Sequence, residues 1–585
     1  MKTQYLNDGV DLMLRKDGSK DQSKHPFLKT NILQDYTEFS LSFCVNEVGL
    51  YFYRFEILKD GKMFFCGRSK TDELAQIADW LPEWQLTVYD KQFDTPDWFT
   101  HGVIYQIFVD RFCKGRSPDL TTIKKDYILR DDWGGTPIYE KLSNGDMKTN
   151  DFFGGNLDGI TSRLDYLVDL GVTCIYLCPI FEAYSNHKYD TADYMKVDPM
   201  FGDTEGFKDL CYKALQKGIK IILDGVFSHT GSDSVYFNKN GHYGEGGAFN
   251  SAQSPYFKWY NFKNWPLDYQ CWWGINILPT LNKEDPSYLD FITGENGVLR
   301  SWIRNGASGW RLDVADELPD LFLDKLRSAV KAEKSDAVII GEVWEDASNK
   351  ESYGKRRKYL LGSQLDSVMN YPFKGAVLDF VKGGIAENFE KQIMTILQNY
   401  PEPSIRSLMN IIGTHDTTRC LTELSSVDGH ILTTKEKSDY KMGEKEYSAA
   451  KKSLILATAI QFTLPGVPCI YYGDEAGMQG YEDPFNRYCY PWGHEDFELL
   501  NWYKLLGKMR STHRSALVGN MKILFAQGNV IVYSRSETLI TAVNTGEQPN
   551  SVNLPSGDFV NLVSNERVNG GFTLGGNSCV ILARV

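Results

Sequence analysis

Gly309-Trp310-Arg311-Leu312-Asp313-Val314-Ala315-Asp316-Glu317 is the stretch on which the reading of this chain turns. Its first five residues read as a short buried strand, and side chains two apart on a strand share a face. Arg311 and Asp313 therefore project together. A carboxylate beside a guanidinium stays charged, which is the state a carboxylate nucleophile needs. The same pair serves equally well as a structural brace at a strand end, and the rest of the chain has to decide between the two.

On either side, apolar strand-like runs at 103–109, 172–178, 219–224, 337–341, 364–369, 408–413 and 467–472 alternate with amphipathic segments such as 204–217, 320–331, 386–400 and 447–462. With 309–313 they make eight buried strands, each followed by helical sequence. Parallel neighbours need crossover helices, so the pattern predicts an α/β fold, a (β/α)8 TIM barrel over residues 98–515. The alternation breaks at about 231–286, a stretch rich in Gly, Asn and aromatic residues, which predicts a small lobe inserted after strand 3. A helix over 496–512 closes the barrel, and the charged stretch 434–445 reads as a solvated loop or the start of a helix. Residues 1–97 alternate apolar and polar positions in short runs, such as Phe39-Ser40-Leu41-Ser42-Phe43, separated by turns such as Lys59-Asp60-Gly61. That is the pattern of an N-terminal β-sandwich. Residues 516–585 return to short strands, among them Val530-Ile531-Val532-Tyr533 and Cys579-Val580-Ile581-Leu582, and predict a C-terminal β-sandwich.

Composition narrows the function classes. Aromatic residues make up 13% of the 585, and flat rings stack on sugars, although Trp80, Trp84 and Tyr89 read first as packing residues. A net charge of -13 argues against nucleic-acid and anionic-membrane partners, which demand basic surface. The first residues lack the apolar core of a signal peptide, and no run of about 18 apolar residues occurs. Eleven cysteines without C-x-x-C pairing fit free thiols in a reducing compartment, so a cytoplasmic location is expected.

Reactive groups of such a barrel collect where strands end. Strand 3 ends in Asp224-Gly225-Val226-Phe227-Ser228-His229, the fourth in Arg311 and Asp313, the fifth in Gly341-Glu342-Val343-Trp344, and the seventh in Gly413-Thr414-His415-Asp416. Any one of these is explained as a helix cap or an ion pair. Four strands delivering carboxylates and imidazoles to one rim are hard to explain as packing.

These four blocks, in this order, resemble the signature regions of the α-amylase family of glycoside hydrolases (family 13), and Leu278-Pro279-Thr280-Leu281-Asn282 resembles its additional motif. Tyr105-Gln106-Ile107-Phe108-Val109-Asp110-Arg111-Phe112 and Tyr471-Tyr472-Gly473-Asp474-Glu475-Ala476-Gly477 are similar to the neopullulanase, cyclomaltodextrinase and maltogenic amylase group. The resemblance implies that Asp313 is the nucleophile, Glu342 the general acid/base and Asp416 the transition-state stabiliser, with Arg311 keeping Asp313 ionised. It implies that His187, His229 and His415 hydrogen-bond the sugar being cleaved and that Tyr189 stacks under it. Asp224 reads as a supporting residue, and Trp344 as a wall for the next sugar. Tyr269, Trp272 and Trp273 read as cleft wall or lobe core, with at least one of the tryptophans in the core. Asp316 and Glu317 read as the start of the following helix, outside the chemistry.

The implied activity is retaining hydrolysis of α-1,4 bonds in cyclomaltodextrins, maltooligosaccharides, pullulan or starch, without a cofactor. The alternatives are a transglycosylating enzyme of the same fold and a non-catalytic glucan-binding protein. The group also implies that residues 1–97 are a starch-binding-like domain through which a homodimer forms. Two features depart from the group. The segment 350–358 looks like an insertion, either reshaping the cleft mouth or forming a solvated helix. The calcium site expected from the loop after the first strand and a Phe-Gly-Gly-Asp element reads here as Arg111-Phe112-Cys113-Lys114-Gly115-Arg116 and Phe153-Gly154-Gly155-Asn156. Calcium favours anionic oxygens, so structural calcium is expected to be weak or absent, and no residue is assigned as a metal ligand.

Overall fold

The structure, a computed structural model, describes residues 2–4, 9–32, 36–68, 75–78, 81–116, 126–141 and 148–585. At its centre lies a parallel sheet of β1 (Ile104–Ile107), β2 (Cys174–Leu177), β3 (Lys220–Gly225), β4 (Gly309–Leu312), β5 (Val338–Gly341), β6 (Ser367–Val368), β7 (Met409–Asn410) and β8 (Val467–Tyr471). The hydrogen-bonded order runs β6-β5-β4-β3-β2-β1-β8-β7. A parallel bridge between Met369 and Met409 joins the two ends into a barrel. The eight strands predicted from the sequence are these eight.

Alternation along the strands decides what the barrel encloses. Ile104, Cys174, Tyr176, Ile222, Val338, Ile340, Met409 and Cys469 form one buried cluster inside it. Their neighbours Tyr105, Ile175, Leu223, Trp310, Leu312 and Ile339 pack outward in the larger cluster with the helices. Two residues beyond an inward apolar side chain the next inward position is polar: Gln106 after Ile104, Asp224 after Ile222, Glu342 after Ile340. The inward face thus turns from hydrocarbon to acid at the carboxyl ends of the strands.

The surrounding helices include Thr204–Gln216, Asp320–Glu333, Ala386–Asn399, Glu444–Thr463 and Phe497–Thr512. Asp203 and Asp496 cap two of them by accepting backbone N–H groups of the first turn. The charged stretch after 433 forms the helix Thr434–Asp439, which starts with a capping box between Thr433 and Glu436.

Before the barrel, one sheet of six strands and one of three account for the N-terminal alternation. Strand Gly49–Lys59 turns into Lys62–Arg68 through Asp60 and Gly61, both at positive φ. Trp84 is buried against Tyr53 and Phe55, and Tyr89 meets Phe93 edge-on, so both serve packing. Trp80 lies outside the described residues. After the barrel, six antiparallel strands hydrogen-bond as one sheet, whose long strand Asn550–Asn561 is interrupted in register between Asn553 and Asp558. This sheet holds its own core of Val530, Val532, Ile540, Phe559 and Leu582.

Two expectations are corrected. Segment 350–358 is no helix: Glu351–Ser352 and Lys355–Arg356 pair as a hairpin, with Tyr353 and Gly354 at positive φ in its turn. Asp316 and Glu317 do not begin the following helix, which starts at Asp320 after Pro319. They lie in the 3-10 turn Ala315–Glu317, where Asp316 accepts the Tyr359 hydroxyl at 2.6 Å and pairs with Lys350 at 3.2 Å.

Candidate active site

Arg311 projects from β4 into the barrel mouth with no solvent exposure and joins three carboxylates. Its Nη1 donates to Asp224 Oδ1 (2.9 Å) and Asp313 Oδ1 (3.0 Å), and its Nη2 lies 2.8 Å from Glu342 Oε2. Asp224 also accepts the hydroxyls of Tyr176 (2.5 Å) and Tyr189 (2.9 Å). Glu342 Oε2 accepts the backbone N–H of Val314 at 2.8 Å, and Oε1 accepts Trp344 Nε1 at 3.0 Å. Val314 holds a left-handed φ of 37°, rare for a β-branched residue, and its N–H meets Glu342 from there.

Asp416, from the loop after β7, completes the acid group and keeps 31% of its side chain open to solvent. Arg487 Nη2 lies 3.7 Å from it and His415 Nε2 3.1 Å. Four carboxylates thus face two guanidiniums. Burial, with the charge of Glu342 second, pushes Asp416 up to about 7. Burial also pushes Asp313 well above the usual carboxylate range, with Arg311 opposing. Arg311 acts on Asp313 in the expected direction, toward the carboxylate, and burial acts against it. One guanidinium is divided among Asp224, Asp313 and Glu342, so its pull on each is shared.

Burial favours the neutral form of the three histidines at this site. His415 lies well below its ordinary value through burial and then the Arg487 charge, and burial pushes His187 and His229 down to about 3. Gln106 Nε2 donates to His415 Nδ1 at 2.7 Å, which leaves the proton on Nε2, facing Asp416 and the Tyr189 hydroxyl. The Tyr189 and His415 rings stack 5.3 Å apart. His187 Nδ1 accepts the Tyr189 N–H at 3.1 Å, so its proton also sits on Nε2. His229 differs: Ser228 Oγ meets Nδ1 at 2.8 Å, and Nε2 donates to the Tyr189 carbonyl at 3.1 Å. Both its nitrogens hold protein partners, so His229 braces the Tyr189 loop.

Ten residues singled out in the sequence, Asp313, Glu342, Asp416, Arg311, Asp224, His187, Tyr189, His229, His415 and Trp344, gather at this rim. Trp344 is 48% exposed, with its ring stacked 4.0 Å from Tyr371. Sequence reading missed Arg487, Tyr176, Tyr371 and the role of Gln106. Gln106 and Tyr176 sit at inward positions of β1 and β2, where strand alternation would have found them. Arg487 ends the 3-10 turn Phe485–Arg487, which carries no periodic signal.

This geometry has relatives. Residues 106–502 match the family described as Alpha-amylase, "Alpha amylase, catalytic domain". The chain belongs to the α-amylase family. It is 38% identical over 553 residues to an amylopullulanase of Thermoanaerobacterium saccharolyticum, covering 86% of this chain but 41% of that protein. The chain thus spans less than half the length of that relative. It is 35% identical over 544 residues to a cyclomaltodextrinase of Thermoanaerobacter pseudethanolicus, covering 89% of this chain and 83% of the relative. The structure of the type III pullulan hydrolase from Thermococcus kodakarensis superposes with a TM-score of 0.71 at 26% identity, covering 100% of this chain and 96% of that one.

Within this α-amylase-family frame, the inserted lobe differs from expectation. Neither Trp272 nor Trp273 is in its core. Trp273 is 82% exposed, and Trp272 is half-buried with its ring 5.4 Å from His229. Tyr269 takes the core position, against Phe237 and Phe262. The region of the family's calcium loop does not fit a cation. Asp110 accepts the N–H groups of Phe153 and Gly154 and pairs with Arg111 at 2.6 Å. Asn156 Oδ1 accepts the Gly159 N–H, and its Nδ2 donates to the Arg116 carbonyl. These oxygens are turned to N–H donors, and a hard cation needs them free.

Proposed function

We propose that this chain is a retaining α-glucan hydrolase that cleaves α-1,4-glucosidic bonds of cyclomaltodextrins, maltooligosaccharides, pullulan or starch through a glycosyl-enzyme intermediate. The observation that carries this reading is Arg311 joining Asp313 and Glu342 at the mouth of the barrel, with Asp416 beside them. Asp313, as the carboxylate, attacks the anomeric carbon while Glu342, as the carboxylic acid, gives its proton to the departing oxygen; the Glu342 carboxylate then takes a proton from the water that releases the sugar and restores the Asp313 carboxylate. Asp416 stabilises the positive charge that develops on the ring. Tyr189 offers the sugar a ring face, and His187 offers a neutral N–H donor. No cofactor enters these steps.

The test is a product profile on γ-cyclodextrin, pullulan and soluble starch beside Asp313→Asn. Wild-type hydrolysis with kcat lowered by at least about 10³-fold in the variant is expected, in the range of a lost covalent nucleophile. Undiminished hydrolysis by the variant overturns the mechanism.

A second reading, transfer of the glycosyl group to a sugar acceptor, is favoured by the half-exposed Trp344 over Glu342. Transfer oligosaccharides from maltotriose, in place of glucose and maltose, distinguish it. Two further readings accompany the function. The eleven cysteines are free thiols, which supports a cytoplasmic location. Exposed Leu28, Ile32 and Phe43 on the N-terminal β region support a homodimer formed through it.

A further inference from the structure

The loop that follows Glu342 and Trp344 does not rest on the barrel alone. It is held between the N-terminal strand Trp84–Val88 and the end of helix Ala386–Asn399. Gln85, 8% exposed, reaches out of that strand and uses both ends of its amide on the loop. Its Nε2 donates to Ser348 Oγ at 2.8 Å, and its Oε1 accepts Asn349 Nδ2 at 2.8 Å. The same Nε2 lies 3.2 Å from the Asn399 carbonyl, which also accepts the Thr87 hydroxyl at 2.6 Å. Ser348 passes the contact on by donating N–H and hydroxyl to Asp346, whose other oxygen accepts Asn399 Nδ2 at 2.9 Å. The Ala347 N–H meets the Tyr400 hydroxyl at 2.8 Å. The chain is thereby fixed from Asp346 to Asn349, starting four residues after Glu342. A second contact, Arg356 Nε to Asp17 Oδ2 at 2.8 Å, ties the hairpin that continues this loop to the same N-terminal sheet.

We infer that the N-terminal sheet acts in cis on the chemistry, with Gln85 as a positioning residue that sets the loop carrying Glu342 and Trp344. A buried amide that satisfies donors and acceptors on three segments specifies one arrangement of them. A general acid a fraction of an ångström out of place loses proton transfer before it loses substrate binding. The effect acts through Glu342 and rests on the reading of that residue as the acid/base.

The experiment compares maltotriose, whose sugar leaving group needs a proton, with α-maltosyl fluoride, whose fluoride departs with less need of one. Gln85→Ala is expected to lower kcat/KM on maltotriose about tenfold and to leave kcat/KM on the fluoride within about twofold, because kcat/KM reports the bond-breaking step alone and excludes the water step in which Glu342 is the base. Ser348→Ala, a smaller change, is expected to show the same split, with the double variant no worse than Gln85→Ala alone. Equal losses on both substrates, or no loss in a folded variant, overturn the proposal. If Gln85→Ala does not fold, Ser348→Ala decides by the same criterion. Wild-type enzyme inert on both substrates refutes the proposed function instead.

Discussion

Val314 carries backbone strain that only the site explains. A β-branched side chain at a φ of 37° is unfavourable by about 1–3 kcal/mol, and the residue sits between Asp313 and the turn before the next helix. In return its N–H reaches Glu342, a position that the extended backbone of β4 does not provide. Asp416 shows the same preference for function over stability. Its pKa is raised, so between about pH 4 and 7 the folded chain keeps a proton that the unfolded chain has lost, and stability falls as pH rises through that window. Asp416→Asn removes this penalty. We expect its Tm to exceed wild type at pH 7 and to match it near pH 4, with hydrolysis strongly reduced at both. A thermal scan at the two pH values checks this, and an equal Tm at pH 7 contradicts it.

At the scale of elements, β4 is fixed by its first residue as much as by Arg311 and Asp313. Gly309 pairs with Val338, and a Cβ there would stand 2.3 Å from the Val338 carbonyl oxygen and 2.7 Å from its Cγ1. Neither the carbonyl nor the packed methyl can withdraw without opening the β4–β5 ladder. Gly309→Ala is therefore expected to destabilise by about 3 kcal/mol, the upper end of ordinary overpacking. Thermal unfolding reads it as a clear drop in Tm, and an unchanged midpoint shows that the ladder can shift. Elements with a strong period were legible in the sequence: the strands pack inward and outward as alternation predicts, and the helix after Asp203 begins where its cap is. The hairpin Glu351–Arg356 was not legible, because charged residues outside the core carry no period; its conformation rests on a two-residue turn, on the contact of Arg356 with Asp17 and on that of the following Arg357 with Asp320.

For the whole molecule, the sheets before the barrel raise the question of assembly. They leave Leu28, Ile32 and Phe43 in solvent, while Gln85 and Thr87 bind the barrel of the same chain. One surface thus binds within the chain, and the exposed one is the surface on which the proposed dimer rests. Sedimentation at micromolar concentration is expected to give a species of twice the 66.6 kDa chain mass. Replacing Leu28 and Ile32 by Lys is expected to return it to one. A monomer at that concentration in the wild type removes the dimer reading. Among the described residues no helix is long and apolar enough to cross a membrane.

The sequence by itself determined the barrel and the carboxylates that end its strands, while the resemblance to the family, not a period, picked out His187 and Tyr189. The strands depend on a period of two and the strand-end acids on residues adjacent in the chain, and such local patterns survive without coordinates. Only the tertiary structure decided how charge is distributed there. Arg311 was expected to serve Asp313 and instead divides itself among Asp224, Asp313 and Glu342, while Arg487 arrives beside Asp416 from more than 70 residues downstream. Electrostatic balance depends on every charge within a few ångströms and on their shared burial, and those distances are set by the closing of the barrel.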